Sequence, residues 1–186
     1  MPAALITREE AVARIAEVFR EQGFEGASLS AITEASGLGK GSLYNHFPGG
    51  KDDMAAEVLA HVDAWFEAEV YAPLRDAADA RAAITTMFAS VNGYFRSGRR
   101  ICLVGAFALD ATRDRFAVAV QDYFLRWIAA LAACLKRGGA RQSRALAESA
   151  VAGIQGALVL SRALDDPAVF ARQLADLQDR LLSALA

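Results

Sequence analysis

Apolar residues return every three or four positions along most of this chain. No stretch alternates apolar with polar over five or more residues with β-branched enrichment. A spacing near 3.6 gathers one apolar stripe on a helix, whereas a half-buried strand needs a spacing of two. The pattern predicts an all-α fold. Val12, Ile15, Ala16 and Phe19 form the first stripe; Thr7 with Glu9 and Glu10 marks its start, and Gly23 its stop. Further helices are expected over 29–36 (capped by Ser28, ended by Gly37), over 40–47 (stopped by Pro48) and over 52–71 (closed by Pro73). Later ones fit 79–97, 101–109, 113–136, 143–164 and 167–185, about nine in all. The four prolines, Pro2, Pro48, Pro73 and Pro167, all fall at expected helix ends.

The chain has 186 residues, of which 54% are hydrophobic and many are alanine, which suits helix-on-helix packing. Its net charge of −2 neither supports nor excludes a DNA partner, because a small local surface can suffice. Two cysteines, Cys102 and Cys134, are too few for a disulfide framework and lack metal-ligand spacing, so they read as small buried side chains. No signal peptide is evident in MPAALITREEAVARI, and the apolar runs are short and broken by Asp or Arg. The expectation is a soluble, cytoplasmic protein with no membrane partner, no metal and no cofactor.

One segment, SGLGKGSLYNHFPGGK (36–51), invites a phosphate-loop reading. A phosphate loop needs G-x-x-x-x-G-K-[ST] after a strand; here the glycine spacing differs and no strand precedes it. On a helical wheel, Leu43 and Phe47 share one side, while Gly41, Ser42, Asn45 and His46 share the opposite one. A short helix would bury two anchors and present small, hydrogen-bonding groups. Asn pairs bidentately with adenine, Ser bonds base edges or phosphate, and Gly41 permits close approach. These four are the candidate base-facing residues on double-stranded DNA. Ser28, Lys40, Tyr44 and Lys51 are the candidate phosphate partners. With the preceding helix and the Gly37-Leu38-Gly39 turn, this makes a helix-turn-helix, its inner side packing Leu29, Ile32, Leu38 and Leu43 on Ile15 and Phe19.

Phe19, Gly23, Phe24, Ser28, Ile32, Ala35, Gly37, Lys40, Gly41, Leu43, Tyr44, Phe47, Lys51 and Met54 together resemble the DNA-binding region of TetR-family transcriptional regulators. The resemblance covers about 8–58. FPGGKDDM and, further on, CLVGAFALD look like the LmrA/YxaF-like branch. Gly39 departs from the Ser or Thr often found capping the third helix, a difference of a few tenths of a kcal/mol. Glu9, Glu10, Glu17, Glu21, Glu25 and Glu34 nearly balance Arg8, Arg14, Arg20, Lys40 and Lys51, so DNA affinity would rest on few phosphate contacts. The resemblance implies a DNA-binding domain over 1–51 and an effector-binding and dimerisation domain over 52–186. It also implies a ligand-responsive repressor, whose helix from Asp52 moves on ligand binding and changes the separation of two recognition helices.

A single helix-turn-helix reads few base pairs, so a homodimer on a pseudo-palindromic operator is expected. Leu146, Ala150, Gly153, Ala157, Leu160 and Leu164 step by four and three, like a coiled-coil seam. Phe170, Leu174, Leu177 and Leu181 continue the spacing on the last helix. Together they are the candidate dimer interface, or else intrachain packing. The aromatic middle offers a candidate small-molecule pocket lined by Phe66, Phe88, Val91, Tyr94, Phe107, Phe124, Trp127 and Gln155, with an uncharged or weakly polar effector expected. Ordinary core packing competes for each. An enzyme reading lacks a motif: His46 and His61 are the only histidines, with no HExxH, CxxC or G-x-S-x-G pattern. The alternative function is a helical small-molecule-binding or interaction protein without DNA binding.

Overall fold

The computed structural model describes residues 6–186, so the expectation for Pro2 lies outside the described residues. In chain order the helices are α1 (Arg8–Gly26), α2 (Leu29–Ser36), α3 (Lys40–His46), α4 (Lys51–Phe66), α5 (Ala72–Asp76) and α6 (Ala80–Tyr94). They continue as α7 (Leu103–Ala108), α8 (Thr112–Arg115), α9 (Ala117–Arg137), α10 (Ser143–Ala163) and α11 (Pro167–Ser183), and a π-helical stretch, Glu67–Tyr71, joins α4 to α5. No strand occurs among the described residues, as the 3.6 spacing predicts.

Two expected helices are divided. The helix through 52–71 does not close at Pro73. Proline lacks an N–H and its ring crowds the carbonyl four residues back. Here the preceding turn widens: the Ala72 N–H bonds to the Glu67 carbonyl, five residues back. That π turn admits Pro73 at the start of α5, and the helical path runs on to Asp76. The helix expected over 113–136 breaks at Phe116, whose backbone leaves the helical region at φ −118°, ψ 28°. Its ring packs at 5.7 Å from Phe24 and 5.9 Å from Phe107, a tertiary contact that overrides the local periodicity. The helix expected over 79–97 ends at Tyr94, because Arg96 and Ser97 turn left-handed.

Packing divides the chain into two units: the described residues through Asp63 with Leu103–Val120, and Ala64–Cys102 with Gln121–Ala186. In the first, Ile15, Phe19, Ile32, Leu43, Phe47 and Val58 are buried. Phe107 and Phe116 close this core against Phe19 and Phe24. Arg115 donates to the Asp52 carboxylate at 3.0 Å and lies 5.2 Å over the Phe24 ring.

In the second unit, Phe66 stacks edge-on with Tyr123 at 4.8 Å and lies 5.2 Å from Trp127. The Tyr71 hydroxyl donates to the Tyr123 carbonyl at 3.0 Å. Helix α9 is long and apolar enough to cross a membrane by length and composition alone, at a mean hydropathy of 1.4. The sequence reading expected no such segment. Within this unit its Trp127, Leu131, Cys134 and Leu135 are buried, which is the packing of a core helix.

The stripes on the last two helices also pack within the chain. Ala150 and Ala157 are buried within the chain, and so are Phe170, Leu174, Leu177 and Leu181. Gly153 is the contact point: a Cβ there would stand 2.9 Å from Leu177 Cδ1. Leu146 is half-buried. Much of this spacing is therefore used in packing within the chain, with Gly153 set against Leu177. Only Leu160 and Leu164 stay open, at 50% and 64% exposure.

Candidate nucleic-acid interface

The N-terminal helices are each set by local chemistry. At α1, Thr7 Oγ1 accepts from the Glu10 N–H at 3.1 Å, and the Glu10 carboxylate accepts from the Thr7 N–H at 2.9 Å. This reciprocal box satisfies two of the free amides at the helix start. Those bonds to Thr7, the backbone one first, hold the Glu10 carboxyl below its ordinary range. Gly23, at φ 69°, breaks the helical path inside α1. Ser28 caps α2 by accepting from the Ala31 N–H at 3.1 Å. Gly37 ends α2 in the left-handed region at φ 71°. Gly39 begins α3 with no side-chain cap bond.

Helix α3 carries the proposed reading face. Leu43 and Phe47 are buried, while Gly41, Ser42, Asn45 and His46 are exposed. Lys40 is exposed and has no carboxylate partner among the described residues. Tyr44, a large aromatic, is 39% exposed. The surface thus offers two amphoteric groups, an imidazole, a phenol and an ammonium on one short helix. Nothing occupies the space a Cβ would take at Gly41.

Ser28 and Lys51 hold more than their expected roles. Ser28 is exposed but its oxygen is already accepting the α2 cap bond, leaving its hydroxyl proton to donate. Lys51 is half-buried: its ammonium donates to the Glu25 carbonyl at 3.3 Å and the Ala27 carbonyl at 3.5 Å, 4.6 Å over the Phe24 ring. It ties the end of α1 to the start of α4, and a phosphate would have to share it.

The sequence reading missed two groups beside this face. A groove of about 480 Å³ lies along α2 and the first residue of α3, walled by Ser30, Thr33, Glu34 and Lys40. The Ser30 hydroxyl is an exposed donor there, two residues past the Ser28 cap. Arg14 is the other: a Cβ at Gly37 would come within 3.4 Å of its guanidinium, so that cation lies beside the α2–α3 turn. Its exposed place on α1 was the available signal.

The expected effector residues are dispersed. Phe66, Tyr94 and Trp127 share one aromatic cluster in the second unit, with Phe66 5.0 Å from Tyr94. Phe88 and Val91 are buried in α6, and Phe124 is half-buried beside Tyr123. Phe107 packs in the first unit's cluster with Phe19 and Phe24. The Trp127 indole N–H and the Gln155 amide nitrogen are buried without a hydrogen-bond partner among the described residues.

Comparison with known proteins fits this geometry. A family model described as "Bacterial regulatory proteins, tetR family" matches residues 12–58, spanning α2, α3 and the turn between them. A second, described as "Transcriptional regulator LmrA/YxaF-like, C-terminal domain", matches residues 77–174, more than half of the chain. The HTH-type transcriptional regulator LmrA of Bacillus subtilis (strain 168) is 27% identical over 161 residues, which cover 83% of this chain and 86% of LmrA. A TetR-family regulator from Agrobacterium tumefaciens superposes with a TM-score of 0.81 at 20% identity, covering 96% of this chain and 97% of its own. A cysteine mutant of the TetR-family regulator CifR, solved with 26-bp double-strand operator DNA, superposes at 0.74 with 28% identity, covering 99% of both chains. The chain belongs to the TetR family of helix-turn-helix transcriptional regulators, in its LmrA/YxaF-like branch.

Proposed function

We propose that this regulator is a cytoplasmic repressor that binds a pseudo-palindromic operator as a homodimer and leaves it when a largely apolar effector binds. The carrying observation is α3, which buries Leu43 and Phe47 and leaves Ser42, Asn45 and His46 open around a glycine with room for a close approach. In this reading residues 1–51 contact DNA. Gly41, Ser42, Asn45 and His46 face the bases; Ser28, Lys40 and Tyr44 meet phosphates, with Arg14 and Ser30 beside them and Lys51 supporting the helix start. The test is a fluorescence-anisotropy titration with the promoter region beside its own gene. Sequence-dependent, salt-sensitive binding is expected, and its absence even at low salt would favour a helical ligand-binding protein without DNA binding.

The effector part of the reading rests on the aromatic cluster around Phe66 and Tyr94 and on the two unpartnered donors. A buried donor left unsatisfied costs about 1–3 kcal/mol, which an effector bearing an acceptor oxygen would recover. Helix α4 begins in the first unit and ends, through Trp65 and Phe66, in the second. A ligand that favours one setting of α4 would thereby bias DNA affinity, provided it binds the two settings unequally. A thermal-shift screen of apolar carbonyl-bearing compounds tests this. Stabilisation by a hit should shrink in Trp127→Phe, which keeps an aromatic ring and removes the donor.

For the dimer, the face of α10 turned away from α11 is the better candidate. Ser149, Ala152, Gly156, Val159 and Ala163 are all exposed and lie three or four residues apart along that face, with exposed Leu160 beside Val159. A Cβ at Gly156 would meet nothing, so a second helix can come close there.

A further inference from the structure

After α6 the chain reads Arg96-Ser97-Gly98-Arg99-Arg100, three cations in five residues of a protein whose net charge is −2. Arg96, Ser97 and Gly98 have φ of 49°, 53° and 88°. Two successive side-chain-bearing residues in the left-handed region persist only where surrounding contacts hold them. Here Gly98 is pressed on α10 and α11: a Cβ would stand 2.5 Å from Phe170 Cβ and 2.9 Å from Ser161 Oγ. The buried Ser161 hydroxyl donates to the Gly98 carbonyl at 3.3 Å.

This fixed loop forms one wall of a surface pocket of about 440 Å³. Arg99 and Arg100 line it from the loop, Arg162 from the last turn of α10, Asp165 from the turn that follows, and Pro167 from the first residue of α11. The Arg100 guanidinium lies 4.6 Å over the Tyr94 ring and donates to the Tyr94 carbonyl at 3.3 Å, so it is held in place. Arg99 and Arg162 are exposed and have no carboxylate partner among the described residues. Asp165 is the one acid in the wall. Its neighbour Asp166 is committed elsewhere, accepting from the Ala168 N–H at 2.9 Å and pairing with Arg172 at 3.5 Å. Arg99 and Arg162 outnumber Asp165, the one carboxylate in the wall, and so leave a surplus of positive charge. Guanidinium forks match tetrahedral oxyanions bidentately.

We propose that this pocket binds the phosphoryl group of a small phosphorylated molecule. The site opens at the surface, outside the buried aromatic cluster, and does not rest on the repressor reading. The test is isothermal titration of the full chain with sodium pyrophosphate at low chloride, with sodium succinate as a non-phosphate dianion. Saturable pyrophosphate binding, one per chain, is expected, with succinate much weaker. Arg99→Gln combined with Arg162→Gln should weaken it by roughly tenfold or more. Arg96→Gln removes a cation outside the pocket wall and should leave the affinity unchanged. The proposal is overturned by no saturable binding, by succinate binding equally well, by an unaltered affinity in the double variant, or by equal weakening from Arg96→Gln. It is also overturned if the double variant loses self-association while pyrophosphate fails to bind, since the arginines would then serve a subunit contact.

Discussion

Gly37 and Gly41 lie one helical turn apart in sequence and serve opposite needs. Gly37 holds a left-handed φ of 71°, and a Cβ there would stand 2.5 Å from Ile6 Cδ1. Gly41 sits in α3 with open space where a Cβ would go. Gly37→Ala should therefore destabilise the fold by about 1–2 kcal/mol. Gly41→Ala should stabilise it by about 0.5–1 kcal/mol while weakening operator binding, because the methyl group enters the face proposed to approach DNA. Thermal melts and anisotropy titrations on the same two variants separate the effects. A Gly41→Ala variant with unchanged operator affinity would remove Gly41 from the interface. Asn45→Ala should leave the melting temperature nearly unchanged and cost about 1–3 kcal/mol of discrimination at one base pair. These positions were legible in the sequence because a φ requirement and a two-faced short helix are local properties. Lys51 was only half legible: its place at the helix start is local, but its ammonium partners lie 24 and 26 residues away.

Helix ends set by a cap or a breaker were readable in the same way, as at Thr7, Ser28 and Gly37. The breaks that were missed are tertiary. Phe116 interrupts a periodic stretch to reach Phe24 and Phe107, and no pattern within 113–136 records those partners. The same distant packing sets Phe107 against Phe19 and Phe24. The π turn at Glu67–Tyr71 gives an element-scale prediction. The Glu67 carboxylate accepts from Arg75 Nη2 at 2.5 Å and from Arg126, so it joins α5 and α9 to the widened turn. The Arg75 bond foremost, then Arg126, holds its carboxyl below the ordinary glutamate range. A lowered folded-state value means the contribution is present above the unfolded value of about 4.3 and is lost as pH falls through the lower folded one. Glu67→Gln should lower the melting temperature modestly at pH 7, given the pair's exposure, and the gap to the parent should close on acidification below that range. A gap that persists at the acid end would mean the side chain acts by packing rather than by charge.

At the scale of the whole molecule, the proposed dimer turns on which face of α10 would meet a second copy. Periodicity could not decide it, because α10 is lined with small and apolar residues on two sides and both follow a three-four spacing. The side containing Ala150, Gly153 and Ala157 is buried within the chain, with Gly153 set against Leu177 of α11. A large residue at Gly153 should thus act on folding: Gly153→Leu overpacks Leu177 and should destabilise the chain by about 1–3 kcal/mol. The opposite side carries exposed Ala152, Gly156 and Val159, the last 59% exposed. Placing charges there, as in Ala152→Glu with Val159→Glu, removes no intrachain contact of a buried residue. If this face is the dimer seam, the double variant should sediment as a folded monomer, with like charges meeting across the two-fold axis. Two half-sites could then no longer be engaged by one preassembled particle, so operator affinity should fall while binding to a single half-site persists. A double variant that remains dimeric at micromolar concentration would exclude this face. Loss of helical signal at the same temperature as Gly153→Leu would show that the charges had perturbed the subunit rather than the association. The distinction requires both measurements on both variants, because any loss of dimer would also lower the apparent melting temperature through mass action.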